Sequence, residues 1–146
     1  MTHLSHSVAE TESIAAELAR TLAAGDCVAL EGPLGAGKTQ FVRGLAAALG
    51  ANPRAVSSPS FVLLNIYRGG RLTLFHLDAY RTVSADDFES IGFAELLEQQ
   101  GVVVVEWADR IAKILPGRRI RVSIEVMGKS DRQVTLERLD EGGAQP

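Results

Sequence analysis

Apolar residues recur along the chain at two spacings, and the switches between them predict alternating helices and strands. Ser7-x-x-Glu10 has the spacing of a capping box, and Ile14, Leu18 and Leu22 then repeat at helical intervals until Gly25, which predicts a first amphipathic helix. The run Cys27-Val28-Ala29-Leu30 reads as a strand. Phe41, Leu45, Ala48 and Leu49 restore the helical period, and Gly50 supplies a left-handed stop. Phe61 to Tyr67 and Leu72 to Leu77 read as strands joined through Gly69-Gly70, hence an antiparallel hairpin. A helical stretch from about Ala85 to Gln99, broken at Gly92, leads into Val102 to Val105. An uninterrupted run of valines suits a strand buried on both faces in the middle of an α/β sheet. In Arg119 to Val126, Ile120, Val122, Ile124 and Val126 alternate with Arg119, Arg121, Ser123 and Glu125, so one face is buried and the other wet. Gly128-Lys129-Ser130-Asp131 turns the chain into a partner strand, about Arg132 to Leu139, and this hairpin extends the sheet antiparallel.

The pattern is α/β, three-layer αβα, with a mixed sheet whose central strands are parallel and a C-terminal antiparallel hairpin. A length of 146 residues suits one domain, here residues 1 to 140, followed by a tail, 141 to 146, with nothing to bury and expected to be disordered. Hydrophobic content of 46% and a net charge of −3 describe an ordinary soluble protein and exclude the strongly basic balance that unaided nucleic-acid binding requires. No apolar run approaches the roughly 20 residues that span a bilayer, and the N-terminus lacks a signal-peptide apolar segment, so no membrane association and a cytoplasmic location are expected. The single cysteine, Cys27, forms no internal disulfide and reads as a small buried apolar side chain.

Chemistry enters at residues 32 to 39, G-P-L-G-A-G-K-T, a complete phosphate-binding loop between a strand and a helix, which puts the α/β pattern in the P-loop NTPase class. Backbone N–H groups and the positive end of the following helix meet phosphate there; Lys38 is placed to reach the β and γ phosphates and Thr39 to ligate Mg²⁺. Turnover also needs a second metal anchor and a means of orienting water. Glu106 and Asp78, both at strand ends, compete for these roles, and either also reads as a solvated strand-end carboxylate. Ser57-Ser58-Pro59-Ser60-Phe61 stands where many nucleotide switches carry a γ-phosphate-sensing hydroxyl, although such segments are more often plain turns. His76 shares a strand face with Asp78 and reads as packed or hydrogen-bonded, with no His or Cys cluster to suggest zinc. Trp107 reads as core, or as a stacking platform. Arg118, Arg119 and Arg121 form the wet face of a strand or a surface for a partner; Arg81 and Arg132 either touch nucleotide or pair with Asp78 and Asp131. Lys129-Ser130-Asp131 sits in a hairpin turn rather than a guanine-reading element, so ATP is favoured over GTP.

Four segments in this order, G-P-L-G-A-G-K-T at 32 to 39, S-P-S-F at 58 to 61, H-L-D-A-Y-R at 76 to 81 and V-E-W at 105 to 107, resemble the bacterial TsaE (YjeE) family over about Ser7 to Leu139. Phe88 to Gly92 and Leu115-Pro116 are also similar. The resemblance implies a Mg²⁺-dependent ATPase required for threonylcarbamoyladenosine modification of tRNA beside the anticodon. It implies ATP binding by Leu34, Gly35, Ala36, Gly37, Lys38, Thr39 and Arg132, with Mg²⁺ on Thr39 and Glu106. Catalysis falls to Lys38, Asp78 and Glu106, and Ser60, His76, Tyr80, Arg81 and Trp107 lie near a switch or a partner. Ser60 stands where the family commonly has threonine, keeping the hydroxyl without the methyl that stiffens it. The implied partners are the TsaD and TsaB proteins, with tRNA met mainly through that complex. No transition-state arginine is evident, so slow basal turnover, raised by partners, is expected. A small-molecule kinase and a non-hydrolysing ATP-dependent interaction module are the alternatives; no stretch after Val105 supplies a kinase lid.

Overall fold

In the computed structural model, residues 1–57, 64–79 and 92–140 are described. They build one seven-stranded sheet in the order β1-β7-β6-β2-β5-β4-β3. Its strands are β1 (Thr2–Ser5), β2 (Cys27–Glu31), β3 (Leu64–Tyr67), β4 (Thr73–Asp78), β5 (Gly101–Glu106), β6 (Arg119–Val126) and β7 (Arg132–Leu139). β4, β5, β2 and β6 run parallel, whereas β3, β7 and β1 join antiparallel.

Helices α1 (Val8–Ala19) and α2 (Lys38–Leu49) cover one face. There Ile14, Leu18, Phe41, Val42 and Leu45 pack on the inward side chains of Val28, Leu30, Val102, Val104, Val122 and Ile124. The short helix α3 (Phe93–Leu97) and a 3-10 segment (Ala108–Ile114) cover the other face. Beneath them Cys27, Ala29, Phe75, Leu77, Val103 and Val105 form a second core. Two covered faces make three layers, and β5, wholly buried, is the strand its valines predict. Burial pushes the Cys27 thiol up to about 12, as befits an inert core residue.

The first helix ends at Ala19 rather than Gly25, and Leu22, still buried, packs from the turn beyond it. The Ser7 side chain accepts from the Glu10 N–H, but the Glu10 carboxylate reaches the His6 N–H instead of closing the box on Ser7. β6 pairs parallel with β2, so only the β7 arm of the hairpin extends the sheet antiparallel. Val126 breaks its strand's alternation and is exposed. β1 was not visible in the sequence. Ser60, Tyr80, Arg81, the segment Phe88 to Ile91, the start of the 85–99 helix, residues 61–63 and the tail 141–146 lie outside the described residues. Among the described residues no helix is long and apolar enough to cross a membrane.

Candidate functional site

The carboxyl ends of the parallel strands converge on one edge, the position where open α/β sheets bind ligands. β2 runs out through Glu31 into the loop, and Asp78 and Glu106 face each other in register at the ends of β4 and β5. Gly32 passes so close to β6 that an added Cβ would stand 2.6 Å from the Ile124 carbonyl oxygen, so the tight turn out of β2 demands glycine. Helix α2 begins at Lys38 directly after this loop, which aims its unpaired N–H groups and positive dipole end at the loop's concavity.

Lys38 is 5% exposed, and its ammonium donates to the Gly32 and Pro33 carbonyls at 2.5 and 2.9 Å. It lies 3.7 Å from the centroid of the Trp107 ring. Burial pulls its pKa below the ordinary lysine range, and Glu106, Asp78 and Asp109 pull it back up. Trp107 is only half-buried and takes φ 59°, the one non-glycine residue with positive φ among those described. It packs against the second core as its place after a buried strand suggests, and also offers its ring as a platform to Lys38.

Thr39 donates its hydroxyl to Glu106 Oε2 at 3.2 Å. The same oxygen lies 2.6 Å from His76 Nε2. His76, wholly buried, is thus hydrogen-bonded as expected of it, and Asp78 is buried beside this cluster at 2% exposure. A hydroxyl and a carboxylate converging where phosphate would lie are the hard oxygen donors that Mg²⁺ takes, in the small number it uses when phosphates supply other ligands. Among the described residues no three His, Cys, Asp or Glu side chains form a metal-holding cluster.

Arg132 does not pair with the Asp131 carboxylate. Its guanidinium donates to the Ala36 and Gly35 carbonyls at 3.0 Å each and to the Gly128 and Asp131 carbonyls at 3.1 and 2.9 Å. Asp131 instead holds His6 at 2.9 Å. Arg121 meets Glu31 and Glu137, the wet-face pairing expected of a strand. Between the loop, the start of α1 and the β6–β7 turn lies a cleft of about 340 Å³, bordered by Thr11, Gly35, Gln40, Lys129 and Arg132. His6, Thr11 and Gln40 border the cleft without a local sequence signal: Ser7-x-x-Glu10 marks only a helix start, and nothing near it points to a turn more than a hundred residues away.

Against known proteins, the family model described as "Threonylcarbamoyl adenosine biosynthesis protein TsaE" matches residues 5–134. The tRNA threonylcarbamoyladenosine biosynthesis protein TsaE of Treponema pallidum is 41% identical over 91% of this chain and 97% of its own. Its counterpart in Bacillus subtilis is 42% identical over 87% of this chain and 78% of its own. The crystal structure of Bacillus subtilis YdiB superposes with a TM-score of 0.80 at 33% identity, covering 97% of this chain and 87% of that one. The α/β architecture is therefore shared with a solved relative across nearly its whole length, and this chain belongs to the TsaE family.

Proposed function

We propose that this protein binds Mg-ATP at the loop edge of the sheet and hydrolyses it to ADP and phosphate in support of threonylcarbamoyladenosine formation on tRNA, acting on a TsaB–TsaD complex. The observation that carries the reading is the meeting of Thr39 and Glu106, 3.2 Å apart, beside a buried lysine at the mouth of a phosphate-binding loop. The tRNA role rests on family membership.

In this reading the backbone N–H groups of Gly35 to Thr39 surround the β and γ phosphates, and Lys38 exchanges the Gly32 and Pro33 carbonyls for phosphate oxygens. Nucleoside fits the cleft between Thr11, Gln40 and Lys129, with Arg132 on its border. Thr39 and Glu106 would hold Mg²⁺, which would supply neutralisation of charge on the phosphate oxygens. Asp78, at the adjoining strand end, orients the attacking water and accepts its proton. Water oxygen bonds to the γ phosphorus, the bond to the β–γ bridging oxygen breaks, and ADP leaves with that oxygen. The Arg132 guanidinium is fastened to the Gly35 and Ala36 carbonyls of the loop, and turnover by the chain alone is expected to be slow until a partner completes the site.

Phosphate release from Mg-ATP is the test, measured for the chain alone and with TsaB, TsaD and tRNA, with Lys38→Ala as control. Stimulation by the partners that disappears in Lys38→Ala is expected. Fast turnover by the isolated chain contradicts partner dependence, and tight ATP binding with no turnover under any condition leaves a nucleotide-dependent interaction module.

A further inference from the structure

Two polar side chains continue the cluster behind Glu106 and have no part in the steps above. His76 is 0% exposed on β4, flanked on its face by Leu74 and Val104, where a plain apolar residue would satisfy packing. A buried imidazole has to satisfy both ring nitrogens. A carboxylate only accepts, so Nε2, 2.6 Å from Glu106 Oε2, carries a hydrogen. In the neutral ring Nδ1 then accepts the hydroxyl proton of Tyr67, 2.9 Å away. Tyr67 is 5% exposed on β3, and its ring stands 5.7 Å from the imidazole.

The phenol oxygen is itself held from the other side. The Ser57 N–H donates to it at 3.3 Å and Asn65 Nδ2 at 3.4 Å. The Ser57 carbonyl, 3.2 Å away, is a second acceptor for the one phenol proton and also receives Asn65 Nδ2 at 3.2 Å. A bonded chain therefore runs from the Ser57 backbone through Tyr67, His76 and Glu106 to Thr39. It leaves Glu106 Oε2 with two donors, whereas Oε1 has no hydrogen bond among the described residues. Histidine and carboxylate partners one bond removed from a metal ligand fix that ligand's orientation.

We infer that His76 and Tyr67 are positioning residues: they hold the Glu106 carboxylate in its Mg²⁺-binding orientation and tie that orientation to the backbone at Ser57. This rests on the Mg-ATP reading. Neither side chain touches nucleotide; both act through Glu106.

The test is calorimetric binding of a non-hydrolysable ATP analogue, with Mg²⁺ and in EDTA, to the full chain and to Tyr67→Phe, His76→Leu and His76→Gln. The ratio of the two affinities is the metal's contribution. In EDTA every variant binds within about twofold of the parent, because none contacts nucleotide. In His76→Leu the ratio falls about tenfold or more. His76→Gln, whose amide still donates to Oε2, recovers part of it, and Tyr67→Phe loses a smaller share. In amide spectra of the analogue complex, Mg²⁺ shifts the Ser57 resonance in the parent but much less in Tyr67→Phe. A parental ratio in both Tyr67→Phe and His76→Leu overturns the inference, as does an equal loss in His76→Leu and His76→Gln accompanied by weakened binding in EDTA. Should His76→Leu not fold, Tyr67→Phe and His76→Gln decide. If the parent chain itself fails to bind the analogue or gains nothing from Mg²⁺, the Mg-ATP reading falls and takes this inference with it.

Discussion

His6 and Asp131 come from opposite ends of the chain, yet their 2.9 Å contact closes one rim of the cleft beside the phosphate loop. The hydrogen bond and the charge of Asp131 both raise the His6 pKa above its ordinary value. A raised histidine pKa means that the contact's contribution is complete below the unfolded value, about 6.5, and is lost as pH rises through the folded value. Both groups are exposed, so global stability should hardly change. Following the His6 ring protons by NMR should give a pKa above 6.5 in the parent, returning toward it in Asp131→Asn; the same pKa in both proteins contradicts the pairing. At this scale the sequence was informative wherever chemistry is local. The loop, Lys38 and Thr39 are contiguous, and Glu106 closes an apolar run. Arg132 was legible as a candidate but not in its bonding, because the Ala36 and Gly35 carbonyls that it holds are 96 and 97 positions away. The left-handed backbone of Trp107 had no signature, since an aromatic residue there opposes the usual preference and is sustained only by surrounding structure.

Elements that bury a whole face announced themselves, and elements that exist through a neighbour did not. β1 has no useful alternation over Thr2 to Ser5: only Ser5 is buried, Leu4 is 62% exposed, and the strand forms because β7 offers it an unpaired edge. The end of α1 was misplaced for a related reason. Leu22 keeps the helical spacing but reaches the core from a turn, so periodicity outlasts the helix. Contact between α1 and α2 turns on Gly44. A Cβ there would stand 2.5 Å from the Glu12 carbonyl oxygen and 2.9 Å from the Ala15 Cβ, both fixed by α1. Gly44→Ala gains at most about 1 kcal/mol of helix propensity and forces two packed helices apart, an overpacking cost of about 1–3 kcal/mol or more. We therefore expect net destabilisation, read as a lower urea midpoint with an unchanged slope. A midpoint equal to or above the parent's would mean that the helices separate without penalty.

Across the whole molecule the sheet is unevenly clothed. β4, β5 and β2 have helices on both faces, and nearly every residue in them is buried. β6, β7 and β1 are covered on the α1 and α2 side alone; Arg121, Glu125, Glu137 and Leu4 line their open face. This asymmetry explains both sequence patterns, the unbroken valines of β5 and the alternation of β6. It also places the loop at the seam, since β2 is the last doubly covered strand before the half-covered side begins and Arg132 of β7 reaches back to the loop carbonyls. Strands with less buried apolar surface open at lower free energy than the centre. Native-state hydrogen exchange should therefore show the amides of Val28 to Leu30 and Val102 to Val105 exchanging only through global unfolding, with β1 and then β7 opening earlier. If Mg-ATP binds as proposed, it should slow exchange at the start of β7, where Arg132 is fastened to the loop, before it affects β1. Protection in β1 equal to that in β5 would instead make the sheet one cooperative unit, and the seam beside the loop would then have no mechanical meaning.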